Sequence, residues 1–355
     1  MVDLNKYLQM MAETEASDLF FSSYTPIQIK NQGMIKSADD TELMPDDIDK
    51  LAHSLMNEHQ AQQFRDEMEL NFAYEIKSIG RFRVNAYRQR GDVAMVIRMI
   101  RHQIPSVDSL RLPKVLENLI MLRSGLVLMV GATGSGKSTA LASMIEHRNQ
   151  RTACHILTVE DPIEFLHTNK RSLINQREVG VDTLSYDNAL KNALREAPDV
   201  IMIGELRDKD TVEHAMRYSE TGHLCLSTLH ATNAVQAVEH LTNFYHENSR
   251  HKINADLSLN LRAIVALRLI HDVDGNFIPA TEVLINTPYI NKLIARGEYS
   301  RIREAIDQSS STSAHTFDTC LLNLYEAGKI TIEEALQNAE SRTNVALKLK
   351  LMGGL

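Results

Sequence analysis

The chain has 355 residues, enough for about two domains that each bury a core of their own. The formal net charge of −8 argues against a dedicated nucleic-acid-binding protein, and three scattered cysteines without a CxxC pair argue against a zinc site or a disulfide framework. Since no apolar run approaches the ~20 residues of a membrane helix and the N-terminus lacks the features of a secretory signal, we expect a cytoplasmic protein.

The first hundred residues mix helical and strand patterns. Apolar residues at helical spacing predict a helix over residues 3–15, and a polar amphipathic pattern after Pro45 predicts a second one over 46–68. Alternating or apolar runs predict strands over 17–23, 26–36, 70–76, 80–90 and 92–100. We therefore expect an α+β domain over residues 1–103, followed by an interdomain linker over 104–113 with a proline near each end.

From residue 114 onward, short apolar strands alternate with helical stretches. The strand candidates are 125–131, 153–160, 199–205, 223–230 and 264–270. Buried parallel strands have this composition, and their alternation with helices predicts an α/β layered fold. A hairpin is expected over 271–285, and a mostly helical segment over 287–349 that is interrupted by a flexible break at 309–315.

The strongest local signal is a complete phosphate-binding loop between a predicted strand and a predicted helix. It matches G-x-x-x-x-G-K-[ST] and comprises Gly131, Ala132, Thr133, Gly134, Ser135, Gly136, Lys137 and Ser138, with Thr139 directly after it. The glycines let several backbone N–H groups point toward one bound phosphate, and the N-terminus of the following helix adds positive potential there. Lys137 can reach the β- and γ-phosphates, and Ser138 can ligate Mg²⁺. The sequence thus predicts ATP and Mg²⁺ as ligands, but a P-loop alone does not separate a motor from a kinase or a switch.

Acidic residues follow two of the predicted strands. Glu160, Asp161 and Glu164 lie at the end of the second strand of the α/β region. Glu205 follows an apolar run that resembles a Walker B pattern, but Gly204 stands at the position where such patterns often have a metal-binding aspartate. Ligands bind at the carboxyl edge of open α/β sheets, and ATP hydrolysis needs Mg²⁺ and a carboxylate that orients or deprotonates water.

Glu164 and Glu205 are accordingly the candidates for these tasks. The alternative is structural: strand-end acids often cap helices or pair with nearby arginines, here Arg207 or Arg195, and this alternative stays open above all for Glu160 and Asp161.

Two histidines bracket the fourth strand of this region. His223 and His230 lie at its opposite ends, so the two side chains cannot share one metal ion well. His230 lies at the same sheet edge as Glu205, which allows either a γ-phosphate or relay role or a structural one. His223 is expected at a domain or subunit contact.

An arginine-rich strand stands out in the N-terminal region. Because successive side chains of a strand point to opposite faces of the sheet, Arg81, Arg83 and Asn85 lie on one face and Phe82 points toward the core. Three interpretations remain: a solvated strand face, an arginine set aimed at phosphates of a neighbouring subunit, and a platform for single-stranded nucleic acid. The inward Phe82 argues against the last.

Together these pieces resemble the secretion-superfamily hexameric ATPases, and within them the type IV pilus retraction ATPases of the PilT/PilU type. Residues 194–208 resemble the family signature, 158–164 its Asp box, 221–230 its His box, and 16–19 with 80–85 its N-terminal domain. The resemblance implies a RecA-like ATPase domain over 114–355, a PAS-like domain over 1–103, and a homohexamer with ATP at the subunit interfaces.

The resemblance also assigns roles to residues. Glu164 matches the family's catalytic base and Glu205 its Walker B acid, while Arg81, Arg83 and Arg98 fall in the region whose arginines complete the site in trans. Residues 289–298 keep only part of the C-terminal motif of PilT proteins. We also expect the chain to lack the long N-terminal extension and the zinc-binding tetracysteine of the assembly ATPases. This favours the accessory PilU branch.

The resemblance implies as partners an inner-membrane platform protein of the pilus and a PilT-like paralogue, and a location peripheral to the inner membrane. Two other classes of function stay open at this point. One is a nucleotide-gated binding module with little turnover, and the other is a RecA-like nucleic-acid motor, which the net charge opposes.

Overall fold

The computed structural model describes residues 3–14, 16–31, 34–77, 79–100, 103–309 and 313–351. The chain divides into two compact units, the first formed by 1–103 together with 164–166 and the second by 104–163 together with 167–355. Among the described residues, no helix is both long and apolar enough to cross a membrane.

The first unit is an antiparallel sheet with helices. Its strands are β1 (Asp18–Phe21), β2 (Pro26–Asn31), β3 (Met34–Glu42), β4 (Glu69–Ile76), β5 (Gly80–Gln89) and β6 (Asp92–Ile100). Its helices are α1 (Leu4–Glu13), α2 (Pro45–Leu55) and α3 (Glu58–Glu67). Within the described part of the unit, the strands run antiparallel in the order β3-β2-β1-β6-β5-β4.

The prediction of one continuous helix over 46–68 was wrong. The helix is interrupted because Asn57 starts a new one: its side-chain oxygen accepts a hydrogen bond from the Gln60 amide at 2.9 Å, and the Gln60 side chain accepts one from the Asn57 amide at 3.0 Å. This reciprocal capping is a known sequence signature of a helix start, so the break was readable from the N-x-x-Q pattern.

The predicted alternation along β5 is confirmed. Phe82, Val84 and Ala86 are fully buried in the core of the first unit, whereas Arg81 and Arg83 are half-buried on the opposite face. The face of the sheet that carries the arginines is therefore the one turned away from this core.

The second unit is built on a mixed sheet. Its strands are β7 (Gly125–Val130), β8 (His155–Glu160), β9 (Leu173–Glu178), β10 (Val200–Ile203), β11 (Leu224–Leu229), β12 (Leu261–His271) and β13 (Phe277–Ile285). Its helices are α4 (Val115–Ile120), α5 (Lys137–Arg151), α6 (Tyr186–Ala193), α7 (Lys209–Glu220), α8 (Ala234–Asn243), α9 (Glu247–Asn260), α10 (Pro288–Arg296), α11 (Ile302–Asp307), α12 (Phe317–Glu326), α13 (Ile332–Asn338) and α14 (Arg342–Leu351).

In the described residues these strands form the order β13-β12-β7-β11-β10-β8-β9. All neighbouring pairs are parallel except β12 and β13, which form an antiparallel hairpin. This hairpin covers 261–285 and so begins ten residues before the predicted range of 271–285. The α/β class is thus confirmed for this region, and β9 is an edge strand that the sequence analysis missed. Because β7, β8, β10 and β11 are parallel, their carboxyl ends meet at one edge of the sheet.

Residues 104–113, interpreted above as a linker, cluster with the second unit. Val107 and Leu112 are buried in a core on one face of its sheet, and Arg111 lies 3.6 Å from the carboxylate of Asp272 after β12. Part of the break predicted at 309–315 falls on 310–312, outside the described residues.

Candidate active site

The P-loop joins β7 to α5 and is shaped by glycines that other residues could not replace. Gly131 has a φ of +154°, and a Cβ there would lie 2.4 Å from Ser135 Oγ and 2.6 Å from the Leu267 carbonyl oxygen. Gly136 has a φ of +92° and no side chain caps the helix that follows it. The first amides of α5 are therefore left to an external acceptor, for which phosphate is well suited.

Lys137 lies folded into this loop. Its ammonium group donates hydrogen bonds to the carbonyl oxygens of Gly131 and Ala132, both at 2.9 Å. Burial lowers the pKa of Lys137, and the nearby charge of Glu205 opposes that shift. The cation is thus placed at the mouth of the loop, with the Glu205 carboxylate close enough to interact with it.

A charged cluster occupies the ends of β8, β10 and β11. Glu205 lies one residue beyond Gly204, is about one-fifth exposed, and accepts a hydrogen bond from Arg207 Nε at 2.7 Å. His230 Nε2 lies 2.9 Å from its other carboxylate oxygen. Arg207 also contacts Asp161 at 3.1 Å, and the hydrogen bond to Glu205 is the main cause that raises the pKa of Arg207. The structure therefore brings Glu205, His230, Arg207 and Asp161 together.

Three other predicted residues have hydrogen-bond partners of their own. Glu160 is buried and accepts hydrogen bonds from Thr158 Oγ1 at 2.7 Å and Gln176 Nε2 at 3.2 Å. Arg195 precedes β10 and contacts Asn192, and His223 precedes β11 and lies 3.0 Å from Thr221 Oγ1. Since Arg195 and His223 stand at the amino ends of their strands, the sheet separates them from the carboxyl edge that carries Glu205.

Glu164 and its neighbours up to Leu166 group with the first unit. The segment after it is hydrogen-bonded to Asn149, a fully buried residue of α5. The Asn149 side chain donates to the Thr168 carbonyl oxygen at 2.8 Å and accepts from the Lys170 amide at 3.1 Å. The assignment of Glu164 as a base stays a prediction.

The arginines of the first unit have unequal partners. Arg98 Nε donates to Asp18 Oδ1 at 2.8 Å, and the Asp18 side chain is almost entirely buried. Arg83 faces Arg98 directly across the β5–β6 ladder. Arg98 is thus already committed to an ion pair within its own sheet, which the sequence could not show.

One residue at the second unit's charged cluster was missed. Tyr186 begins α6, its ring lies 6.0 Å from the Arg207 guanidinium, and its hydroxyl approaches Gly204. No catalytic motif includes a tyrosine here, so only its position beside Ser185, a helix-capping residue, was legible from the sequence.

The residues present fit a nucleotide and a magnesium ion. The buried Ser135 Oγ has no hydrogen-bond partner within the described residues, and Ser138, the second residue of α5, is exposed. Hydroxyl and carboxylate oxygens such as those of Ser138 and Glu205 are the ligands that Mg²⁺ prefers. Fold and site together define a P-loop nucleotide-binding protein of the α/β class.

Residues 2–349 match the family model described as "Type II/IV secretion system protein", and the chain belongs to this family. It is 44% identical to the type IV pilus ATPase PilU of Pseudomonas aeruginosa over 99% of this chain and 92% of that protein. It is 36% identical to the type IV pilus retraction ATPase PilT of the same organism over 97% of this chain and 100% of that protein. Within the family it is therefore of the PilT/PilU type of pilus ATPase.

A crystal structure of the pilus retraction motor PilT with bound ADP has the same fold. The TM-score is 0.90 at 35% sequence identity, and the match covers 97% of this chain and 99% of the PilT chain. The resemblance proposed from the motifs is thus confirmed over nearly the whole length.

Proposed function

We propose that this chain is a Mg²⁺-dependent ATPase that works as a homohexameric motor in type IV pilus retraction, on the accessory branch that acts beside a PilT-like paralogue. The observation that carries the proposal is the complete P-loop with Lys137 folded into it, next to a carboxylate cluster at the same sheet edge. The 44% identity to a PilU protein supports the accessory branch.

Lys137 binds the phosphates. In the structure its ammonium group is satisfied by two loop carbonyls, so a phosphate oxygen entering the loop offers it a charged acceptor in their place. No side chain caps the amides at the start of α5, and the Ser135 hydroxyl in the loop before it has no hydrogen-bond partner within the described residues. Positive charge held in place before the reaction stabilises the charge that develops on the transferring phosphoryl group.

The two carboxylates act on the metal site and on water. Ser138 and Glu205 would hold Mg²⁺, which when bound neutralises charge on the phosphates. Glu164 orients and deprotonates the attacking water, as its match to the family's base implies. His230 and Arg207 keep the two oxygens of Glu205 in fixed directions through contacts of 2.9 and 2.7 Å.

The finer architecture follows the same family. The second unit is RecA-like and the first is PAS-like. Arg81 and Arg83 of the first unit complete the site of a neighbouring subunit, and Arg98 contributes less to it because it is paired with Asp18. The hexamer docks on an inner-membrane platform protein of the pilus, so the chain works in the cytoplasm at that membrane. Neither zinc nor nucleic acid takes part.

Steady-state phosphate release from the purified chain tests the proposal. It should require Mg²⁺, stop on addition of EDTA, and be unchanged by single-stranded DNA. Nucleotide binding without turnover would favour the gated binding module, and stimulation by DNA would favour the nucleic-acid motor. In piliated cells that lack the chain's gene, reintroducing the gene should restore retraction only when a PilT-like paralogue is also present.

A further inference from the structure

An aromatic ring lies among the charged side chains at the carboxyl edge of the second unit's sheet. Tyr186 is the first residue of α6, whose start is fixed by the Ser185 side chain, which accepts a hydrogen bond from the Asn188 amide at 3.1 Å. The Arg207 guanidinium lies 6.0 Å from the centre of this ring. That distance is within the range of a cation–π contact.

The Tyr186 hydroxyl can occupy its position because residue 204 is glycine. A Cβ at position 204 would lie 2.7 Å from Tyr186 Oη and 3.3 Å from both Glu160 Cα and the Val159 carbonyl oxygen. A contact of 2.7 Å to a carbon is well below van der Waals distance, so any larger residue would push the ring or the end of β8 away. Gly204 has an ordinary φ, so backbone conformation does not require glycine here.

We propose that Tyr186 is a positioning residue that holds Arg207 against Glu205 and Asp161, and that glycine at position 204 serves to admit its ring. The inference rests on the proposed ATPase function, because it assigns the support of the Glu205 carboxylate. It also explains why the frequent metal-ligand position of the Walker B pattern carries no side chain: the space beside β10 is filled from α6 instead.

The electrostatics agree with this role. Burial raises the pKa of the Tyr186 phenol, so it stays neutral and adds no negative charge beside Glu160, Asp161 and Glu205. A neutral ring whose face attracts cations is a suitable support for Arg207, since it orients the guanidinium without competing with the carboxylates for its hydrogen bonds.

Substitutions at the two positions make matched tests. Tyr186→Leu should lower kcat about 10- to 100-fold, because a displaced Arg207 lets Glu205 turn, while nucleotide affinity stays within about twofold. Tyr186→Phe keeps the ring and should stay near wild type. Gly204→Ala should lower kcat to a similar extent as Tyr186→Leu, and adding Tyr186→Phe to it should restore most of the rate because the hydroxyl no longer collides.

Tyr245→Leu is the control for loss of a tyrosine. Tyr245 packs half-buried against the same core and has Lys209 over its ring at 5.6 Å. Its replacement should lower the melting temperature but leave kcat unchanged. If Tyr245→Leu and Tyr186→Leu lower kcat equally, or if Tyr186→Phe fails to rescue Gly204→Ala, the positioning role is overturned.

A second measurement is independent of turnover. Thermal unfolding of Tyr186→Leu, Arg207→Ala and the double variant should be non-additive, since both single changes break the same contact. Additive effects would overturn the proposal even in a chain with full activity. Wild-type turnover no higher than that of Lys137→Ala would instead overturn the proposed ATPase function, and the unfolding cycle would still decide the role of Tyr186.

Discussion

The two units present their charged side chains in different ways. In the second unit Glu205 and His230 stand in turns that follow parallel strands and contact each other, and Lys137 at the start of α5 interacts electrostatically with Glu205. In the first unit Arg81 and Arg83 stand in the middle of an antiparallel strand, on the face turned away from the core.

The difference determines what each set can do. Groups at strand ends sit in turns, where several loops and free backbone amides converge on one ligand. Side chains on one face of a strand all point in the same direction. They can contact a ligand only when that ligand lies against this face of the sheet. The second unit therefore carries phosphate-binding groups in its own loops, whereas we expect the arginines of the first unit to act on a ligand that is presented to their strand face.

The largest effect is expected from Lys137→Ala in the second unit. Without the lysine the loop keeps its glycines but loses the ammonium group that is folded into it, and phosphate release should fall to background. Lys252→Ala, an exposed lysine on α9, is the matched control and should hydrolyse ATP at the wild-type rate. Substantial turnover in folded Lys137→Ala would refute the P-loop assignment.

The next effect concerns the first unit and tests whether its arginines act between subunits. Arg83→Ala should lower turnover by about 10³- to 10⁵-fold, as expected for an arginine that stabilises transition-state charge. Mixing inactive Arg83→Ala with inactive Lys137→Ala should return part of the activity, because some interfaces then receive an intact P-loop from one subunit and an intact Arg83 from its neighbour.

Mass measurements must show that mixed rings form in this experiment. If they form and the mixture stays as inactive as its components, Arg83 does not act in trans. A mixture of Lys137→Ala with Glu205→Gln is the control. Both residues belong to the same subunit's site, so this mixture should regain little.

A smaller effect is expected from the carboxylates. Glu205→Gln and Glu164→Gln should each lower kcat about 10²- to 10⁴-fold while nucleotide affinity changes little, because a group that acts on water or metal contributes mainly in the transition state. Nucleotide titration beside kcat measures the two separately. A parallel loss of affinity and rate in either variant would make that residue a binding or structural one.

Much of the second unit was legible from the sequence because its signals are local. The P-loop combines a fixed spacing with a strand before it and a helix after it, and the strands are continuous apolar runs, as both faces of the sheet are covered. β9 (Leu173–Glu178) was not legible, because an edge strand with polar residues lacks that pattern.

Contacts between distant parts of the chain were beyond reach. The Gly204 position was noted as an absent metal ligand, but only the fold shows that Tyr186, eighteen residues earlier, fills the space. The sequence also did not show which arginine pairs with the acids at the strand ends. It offered Arg207 and Arg195, and the structure pairs Arg207 with Glu205 while Arg195 lies at the opposite edge of the parallel sheet. Alternation predicted the outward face of Arg81 and Arg83, but not the partner of Arg98.

The smallest effect on turnover is expected from replacing Arg98, which lies opposite Arg83 on the neighbouring strand. Arg98 forms an ion pair with the buried carboxylate of Asp18 at 2.8 Å, so we expect it mainly to stabilise the fold of the first unit. Arg98→Ala leaves Asp18 with the Ser17 hydroxyl, which donates to it at 2.8 Å. Because Arg98 is half-exposed and one partner remains, the cost should be about 1 kcal/mol, well below that of breaking a fully buried pair.

Thermal unfolding and steady-state turnover of Arg98→Ala should therefore give a melting temperature lower by a few degrees and a rate reduced far less than in Arg83→Ala. Adding Asp18→Asn to Arg98→Ala should recover part of the stability, because the buried charge that lost its partner is removed. Arg90→Ala, in the exposed turn after β5, is the control for loss of one arginine. An unchanged melting temperature with a rate as low as that of Arg83→Ala would mean that Arg98 gives up Asp18 to serve a phosphate, and the two arginines would then belong to one set.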